Sequence, residues 1–250
     1  AAGRLGREGG GLSLGAAATV ELPVGAIEVS LARPNVIDPE AFRGALRAVL
    51  ERVGALSGGD VSLVLPDPAV RLALVPSEGL RARQRDAAET IRFRLHKALP
   101  FDIRESQVSW AGPQGGQLLV AVIFKPVLEG YEKTLVDLGL EPGLVEPAVL
   151  SLLAAGDADE GDQLLVNWDD GYVSLVVTRA GWPLVVRTLS GGLGAEVVAR
   201  EVGNTVLYYH EKLGGTGLSR AVVRSAHLPP EEAALLLRDP IGFPPQLIDP

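Results

Sequence analysis

The sequence predicts an α/β protein built as two lobes on mixed sheets, and three observations carry that reading. In both halves of the chain, strand-like stretches come in blocks ahead of the helices, without a repeated simple βα unit. An acidic stretch at 156–162, Gly-Asp-Ala-Asp-Glu-Gly-Asp, holds no large apolar residue and divides the two blocks. The composition, 47% apolar and 22% charged over 250 residues, belongs to a chain able to bury a sizeable core.

Each element has a local cause. The first twenty residues are rich in Gly and Ala, offer few anchors, and end on an alternating 18–22 that reads as a strand. A loop follows over 23–34. Asp38-Pro39-Glu40 opens a helix: Asp as N-cap, Pro at the first helical position, an acid in the first turn. Phe42, Leu46, Val49, Leu50 and Val53 recur at helical spacing, and Gly54 and Gly58-Gly59 end the element. Short strands are expected at 61–65, stopped by Pro66-Asp67-Pro68, and at 70–75. The stretch 85–99 reads as an amphipathic helix with Ala88, Ile91, Leu95 and Leu99 on one stripe and Arg92, Arg94 and Lys97 off it. Pro100 ends it. Strands at 106–110 and 117–124 flank a Gly-Pro-Gln-Gly-Gly turn as a hairpin, and a helix over 126–138 closes on Gly139. Leu144-Val145 and a helix at 148–155 complete the first half.

After the acidic stretch, strands are expected at 163–167, 172–178 and 184–189, turning at Asp169-Asp170-Gly171 and Ala180-Gly181. A Gly-rich turn, 190–194, leads into a helix over 195–213, then a strand at 221–224 and a short helix opened by Pro229-Pro230-Glu231-Glu232.

Composition narrows the chemistry. A net charge of −8 and 5% aromatics are the wrong balance for nucleic acid. Zero cysteines exclude a disulfide scaffold, a thiolate metal site and a Cys nucleophile. No apolar run approaches the ~20 residues of a membrane-spanning helix, and no signal-peptide pattern is expected at the start. The absence of Met leads us to expect a chain truncated at both ends.

No nucleophile–base–orienter set assembles from local sequence. His96, His210 and His227 have no ligand or base partner at the right spacing, so neither a catalytic residue nor a metal site is expected. The turn Ser190-Gly191-Gly192-Leu193-Gly194 leads from a strand into a helix, where backbone N–H groups can cradle a phosphate. It lacks the Lys-Ser/Thr of a P-loop and the third glycine of a dinucleotide fingerprint, so a tight strand-to-helix connection is the favoured reading. Asn167-Trp168-Asp169-Asp170-Gly171 sets two acids in a turn, which a plain hairpin also explains. The Arg-rich 81–94 stretch reads as a solvated face.

Three stretches carry a resemblance. They are Leu22-Pro-Val-Gly-Ala-Ile through Pro34-Asn-Val-Ile-Asp38; Val61-Ser-Leu-Val-Leu-Pro-Asp-Pro68 with Ile91 through Leu99-Pro100-Phe101-Asp102 and Trp110; and Leu164 through Asp169, Trp182 through Arg187, and 201–213. Over 18–250 they resemble the PilM family of type IV pilus assembly and the related cytoplasmic domain of the type II secretion protein GspL. The resemblance implies an actin-like (ribonuclease H-like) two-lobe fold with an inserted small α+β subdomain. Its expected bounds are 1–68 for the first-lobe core, 69–140 for the insertion, 141–156 for the return to the first lobe, 157–162 for a linker and 163–250 for the second lobe.

The implied role is a non-catalytic cytoplasmic scaffold, peripheral at the inner membrane. Its partners would be the N-terminal tail of a bitopic, PilN-like membrane protein and other platform proteins, with no nucleic acid and no membrane insertion of its own. The tail would lie in a groove between the insertion and the first-lobe core, and Arg92, Arg94, Phe101 and Ile103 are the candidate residues beside it. The alternative is an actin-like ATPase that binds Mg-ATP and polymerises, with Asp169, Ser190, Gly191 and Gly192 as the nucleotide residues. Such ATPases set Asp-x-Gly and Gly-Gly turns against the nucleotide. Here those places fall on Asn167-Trp168-Asp169 and Arg224-Ser225-Ala226, which lack the leading carboxylate and the glycines. No cofactor is therefore expected.

Overall fold

The computed structural model describes residues 1–8, 11–56, 58–80, 84–154 and 161–248. The chain opens on an antiparallel hairpin, β1 (Ala2–Glu8) and β2 (Gly11–Ala18). This corrects the strand expected at 18–22: the pairing lies earlier, in a Gly- and Ala-rich stretch with little apolar alternation. Ala2, Ala18 and Val20 pack beside Val49 and Leu50 of α1 (Pro39–Arg52). That helix begins where its cap predicts, because Asp38 accepts the backbone N–H groups of Glu40 and Ala41.

β3 (Asp60–Leu65) and β7 (Glu141–Pro147) pair in parallel, so everything between them is an excursion from the first lobe. Within it, β4 (Arg71–Pro76), β5 (Ser106–Gln114) and β6 (Gln117–Phe124) form an antiparallel sheet with β6 in the centre. α2 (Gln84–Leu95) lays Ile91 and Leu95 on that sheet, where Val75, Leu118, Val120 and Val122 complete a core of their own. α3 (Lys125–Val136) instead packs its Leu135 against Val49 and Leu50, so it belongs by contact to the first-lobe core. α4 (Ala148–Ala154) follows β7 directly.

The second lobe is a five-stranded sheet in the order β10-β9-β8-β11-β12. β8 (Asp162–Asp169), β9 (Tyr172–Arg179) and β10 (Trp182–Ser190) form an antiparallel meander; β11 (Leu218–Ser225) and β12 (Gln246–Ile248) add in parallel. α5 (Ala195–Lys212) and α6 (Pro230–Ile241) cover one face. Strand alternation divides β8 between two cores. Leu164, Val166 and Trp168 join the cluster with Val198, Val202 and Leu237, while Leu165 joins Leu65, Val149 and Val176 between the lobes.

Most of the acidic stretch expected as a linker lies outside the described residues, but its last residue does not behave as linker. Asp162 is 7% exposed and begins β8. Arg179 forks onto it at 2.9 and 2.6 Å, and the Tyr209 hydroxyl donates to it at 2.6 Å. The inserted sheet also leans on the second lobe. Gly112, at the irregularity near the end of β5, has φ +101, and a Cβ there would meet the Trp182 ring at 2.9 Å.

Candidate functional site

Two places where the lobes meet are built for contact. The first is the end of the second-lobe sheet that faces Pro66-Asp67-Pro68. Parallel pairing sets Arg224 beside Asn167 and Ser225 beside Trp168, so the two turns expected to face a nucleotide are neighbours. The Ala226 N–H closes them together by donating to the Trp168 carbonyl at 2.9 Å. Tyr172 pairs with both Asp169 and Ser190, and the Gly191 N–H donates to the Gly171 carbonyl, bringing Asp169, Ser190, Gly191 and Gly192 to the same end.

The side chains at this end satisfy one another. Asp67, 1% exposed, accepts the Val149 N–H at 2.8 Å and the Asn167 side-chain amide at 2.8 Å. Asn167 turns its carbonyl oxygen to the Arg224 guanidinium at 2.9 Å, and the same Arg224 nitrogen reaches Asp169 at 2.9 Å. Burial raises the Asp67 pKa from its ordinary value, opposed by the donors from Val149, Ser174 and Asn167. The Tyr172 hydroxyl is also held up, first by burial and then by the charges of Asp67 and Asp169. The result is a continuous polar chain across the lobe interface. Asp169 is neutralised by Arg224, and no three His, Asp or Glu side chains among the described residues can hold a metal. Gly191 and Gly192 take φ +86 and +37, and a Cβ on either would meet nothing within 4 Å, so the turn needs glycine for its backbone path alone.

The second place is a groove of about 390 Å³ between two edge strands, β4 of the insertion and β10 of the second lobe. Val70 and Leu72 wall one side, Val186 and Thr188 the other, with Val29–Leu31 of the first lobe at its mouth. Asn35 fixes that loop: it is fully buried, its side chain accepts the Ser30 N–H at 2.9 Å, and its backbone carbonyl accepts the Glu28 N–H. The Asn35 amide in turn donates to the Tyr131 hydroxyl, whose ring meets Phe42 edge-on at 5.8 Å. Arg71 lines the groove, is exposed, and makes no ion pair among the described residues.

The four residues expected beside a partner tail are not brought into this groove. Ile103, expected to be partly covered, is 7% exposed and packs in the inserted core with Leu95 and Val108. Arg94, expected to reach a tail, instead donates to the Pro76 and Glu78 carbonyls at the end of β4. Phe101 is half-buried and stacks on Phe124 at 4.9 Å, and Arg92 is partly exposed on α2. Asp67 is readable only as a strand stop and Arg71 only as one position within the strand expected at 70–75. Asn35 did stand in a stretch that carried the resemblance.

A scan against protein-family models finds no match, and neither does a search of the curated proteins. Solved structures do match. A chain of the PilM–PilN type IV pilus biogenesis complex superposes with a TM-score of 0.77 at 18% identity, covering 98% of this chain and 84% of that one. The fold is actin-like. The cytoplasmic domain of EpsL, an inner membrane component of the type II secretion system of Vibrio cholerae, superposes with a TM-score of 0.51 at 12% identity, covering 78% of this chain and 70% of that one. The Asp67–Asn167–Arg224–Asp169 chain links the two lobes, and the β4–β10 groove opens next to it, lined also by Pro68 and by Ser190 of the Gly-rich turn.

Proposed function

We propose that this chain is a non-catalytic scaffold of a type IV pilus or type II secretion platform, holding the cytoplasmic N-terminal tail of a PilN-like membrane protein. One observation carries it: an open groove between two edge strands, next to a polar chain in which Arg224 is already bonded to Asn167 and Asp169. The likeness to a chain of the PilM–PilN complex supports the choice of partner.

An extended tail entering the groove meets the free edges of β4 and β10, so its backbone can hydrogen-bond while Val70, Leu72 and Val186 take apolar side chains. Arg71 offers an unpaired guanidinium to a carbonyl or carboxylate of the tail. The Asn35-held loop needs no ordering on binding, which lowers the entropic cost. No helix among the described residues is long and apolar enough to cross a membrane, and on this reading the tail supplies the attachment to the cytoplasmic face of the inner membrane. On this reading nucleotide is not part of the working cycle, because Asn167 stands where the leading carboxylate would be and Arg224 is already paired with Asp169.

Calorimetry with a synthetic tail peptide tests this. Binding should weaken about tenfold in Arg71→Glu, the scale of one modest interface contact, and Mg-ATP should give no heat. Unchanged peptide affinity in Arg71→Glu would move the tail elsewhere, and micromolar Mg-ATP binding would favour the ATPase, with Asp169, Ser190, Gly191 and Gly192 as its site.

A further inference from the structure

We propose that the exposed end of α2 is a contact site for the anionic headgroups of a lipid bilayer. Ile91 and Leu95 point into the inserted core at 0% and 8% exposure, which turns Arg92, Phe93, His96 and Lys97 outward. Phe93 is 75% exposed, and its ring lies 5.6 Å from that of His96. Arg92, Arg94 and Lys97 make no ion pair among the described residues. The carbonyls of Pro76 and Glu78 hold the Arg94 arm in place without cancelling its charge. Nearby Arg104, by contrast, is spent on Asp102.

The local charge runs against that of the whole chain. Residues 81–104 carry seven Lys or Arg against three Asp or Glu, in a protein of net charge −8. A helix C-terminus favours cations, which accounts for the arginines and the lysine. It does not account for a phenylalanine left in water in their midst. Cations around a projecting aromatic ring are the chemistry of a bilayer interface: the ring settles at headgroup level and the charges meet lipid phosphates. An acidic peptide would instead be expected in a walled groove, whereas this ring is largely exposed and touches His96 alone among the described rings. Because the rest of the molecule is repelled by an anionic membrane, the contact is weak and orienting, with this face inward. It is a peripheral contact, distinct from a membrane-inserted segment.

The biological setting rests on the platform reading above, but the chemistry is tested without the tail. The full chain is sedimented with vesicles of phosphatidylglycerol and phosphatidylcholine in equal parts, and with pure phosphatidylcholine vesicles. Binding to the anionic vesicles should be at least about fivefold stronger and should fall with added salt, and Lys97→Glu and Phe93→Ala should each lower it at least about threefold. Lys212→Glu, on the exposed end of α5 in the second lobe, makes the same change in net charge and should leave binding within about twofold. Equal binding to neutral vesicles, or an equal loss in Lys212→Glu, overturns the proposal. So does binding of polyglutamate without binding of anionic vesicles, which would assign the patch to an acidic protein. Both patch variants should keep the parent's affinity for the tail peptide. Loss of vesicle binding with tail binding intact would leave the scaffold reading untouched, whereas failure of the peptide with vesicle binding intact would break only that reading.

Discussion

Among the described residues the two lobes follow nearly the same succession of elements but differ in how their strands are joined. In the second lobe, a meander, a helix, a parallel strand, a second helix and a last strand make one sheet, with β8 bonded to β9 on one side and β11 on the other. In the first lobe, a hairpin, α1, β3, the inserted excursion and β7 follow in the same sense. There β1–β2 and β3–β7 stay separate two-stranded sheets, with no described strand bonded between them. The consequence shows in burial. β8 and β9 are buried almost throughout, while the cross-strand pair Leu5–Leu14 is 63% exposed on both sides and Val64 and Leu144 are about half exposed. β8 and β9 have a core packed on each face, whereas one face of β3 and of the β1–β2 hairpin lies in water.

Core truncation should separate the lobes most. Leu164 is fully buried at the heart of the second lobe, and Leu164→Ala should cost about 3 kcal/mol in chemical denaturation. Val64→Lys, on the open face of β3, should change stability by less than about 0.5 kcal/mol. A large loss in the second variant would mean that β3 is covered in solution and that the contrast between the lobes is overdrawn.

Two buried aspartates sharpen the comparison through pH. Asp162 is held below its ordinary value of 3.8, chiefly by the Arg179 fork and then by Tyr209, against the penalty of burial. Its contribution is present above that value and disappears as pH falls through the lowered folded value. Asp162→Ala strands Tyr209 and a partly exposed Arg179, and should cost about 2 kcal/mol at neutral pH and nothing in strong acid. Asp67 is shifted the other way, so the folded state holds its proton more tightly than the unfolded chain does. Stability should therefore decline as pH rises from 3.8 through the raised folded value, and then level off. Asp67→Asn should remove that decline. An unchanged pH profile in either variant would contradict the assigned cause.

A smaller effect is expected at the lobe interface. Arg224→Ala leaves the Asn167 carbonyl unpaired and frees Asp169, at a cost of about 1 kcal/mol. Its more telling readout is Mg-ATP binding, which should remain undetectable because Asn167 still lacks the carboxylate.

Much of this architecture was legible from local chemistry. Asp38-Pro39 set the start of α1, Pro100 closed the α2 region, and alternation found β5, β6 and the second-lobe meander. β12 escaped because three residues between prolines carry no period. The β1–β2 hairpin escaped because Gly and Ala hide alternation. The candidate site was less legible for a different reason. Asp67 makes its bonds to Val149 and Asn167 across 82 and 100 residues, and nothing in Pro66-Asp67-Pro68 announces them. The groove is a product of two edges from different lobes, so no single stretch contains it. The burial of Ile103 and the carbonyl partners of Arg94 depend on how α2 and the turn after Pro100 settle on β4–β6, which no local stretch announces.

On the proposed reading the groove, and not the end of the sheet at Asn167 and Asp169, receives the ligand. Amide hydrogen exchange on the full chain, with a partner-tail peptide and separately with Mg-ATP, reads both places at once. The peptide should slow exchange at Val29–Leu31 and along β4 and β10, and Mg-ATP should change nothing at 167–172 or 190–194. Protection of those turns by Mg-ATP, with no change along β4 and β10 on adding peptide, would contradict that reading.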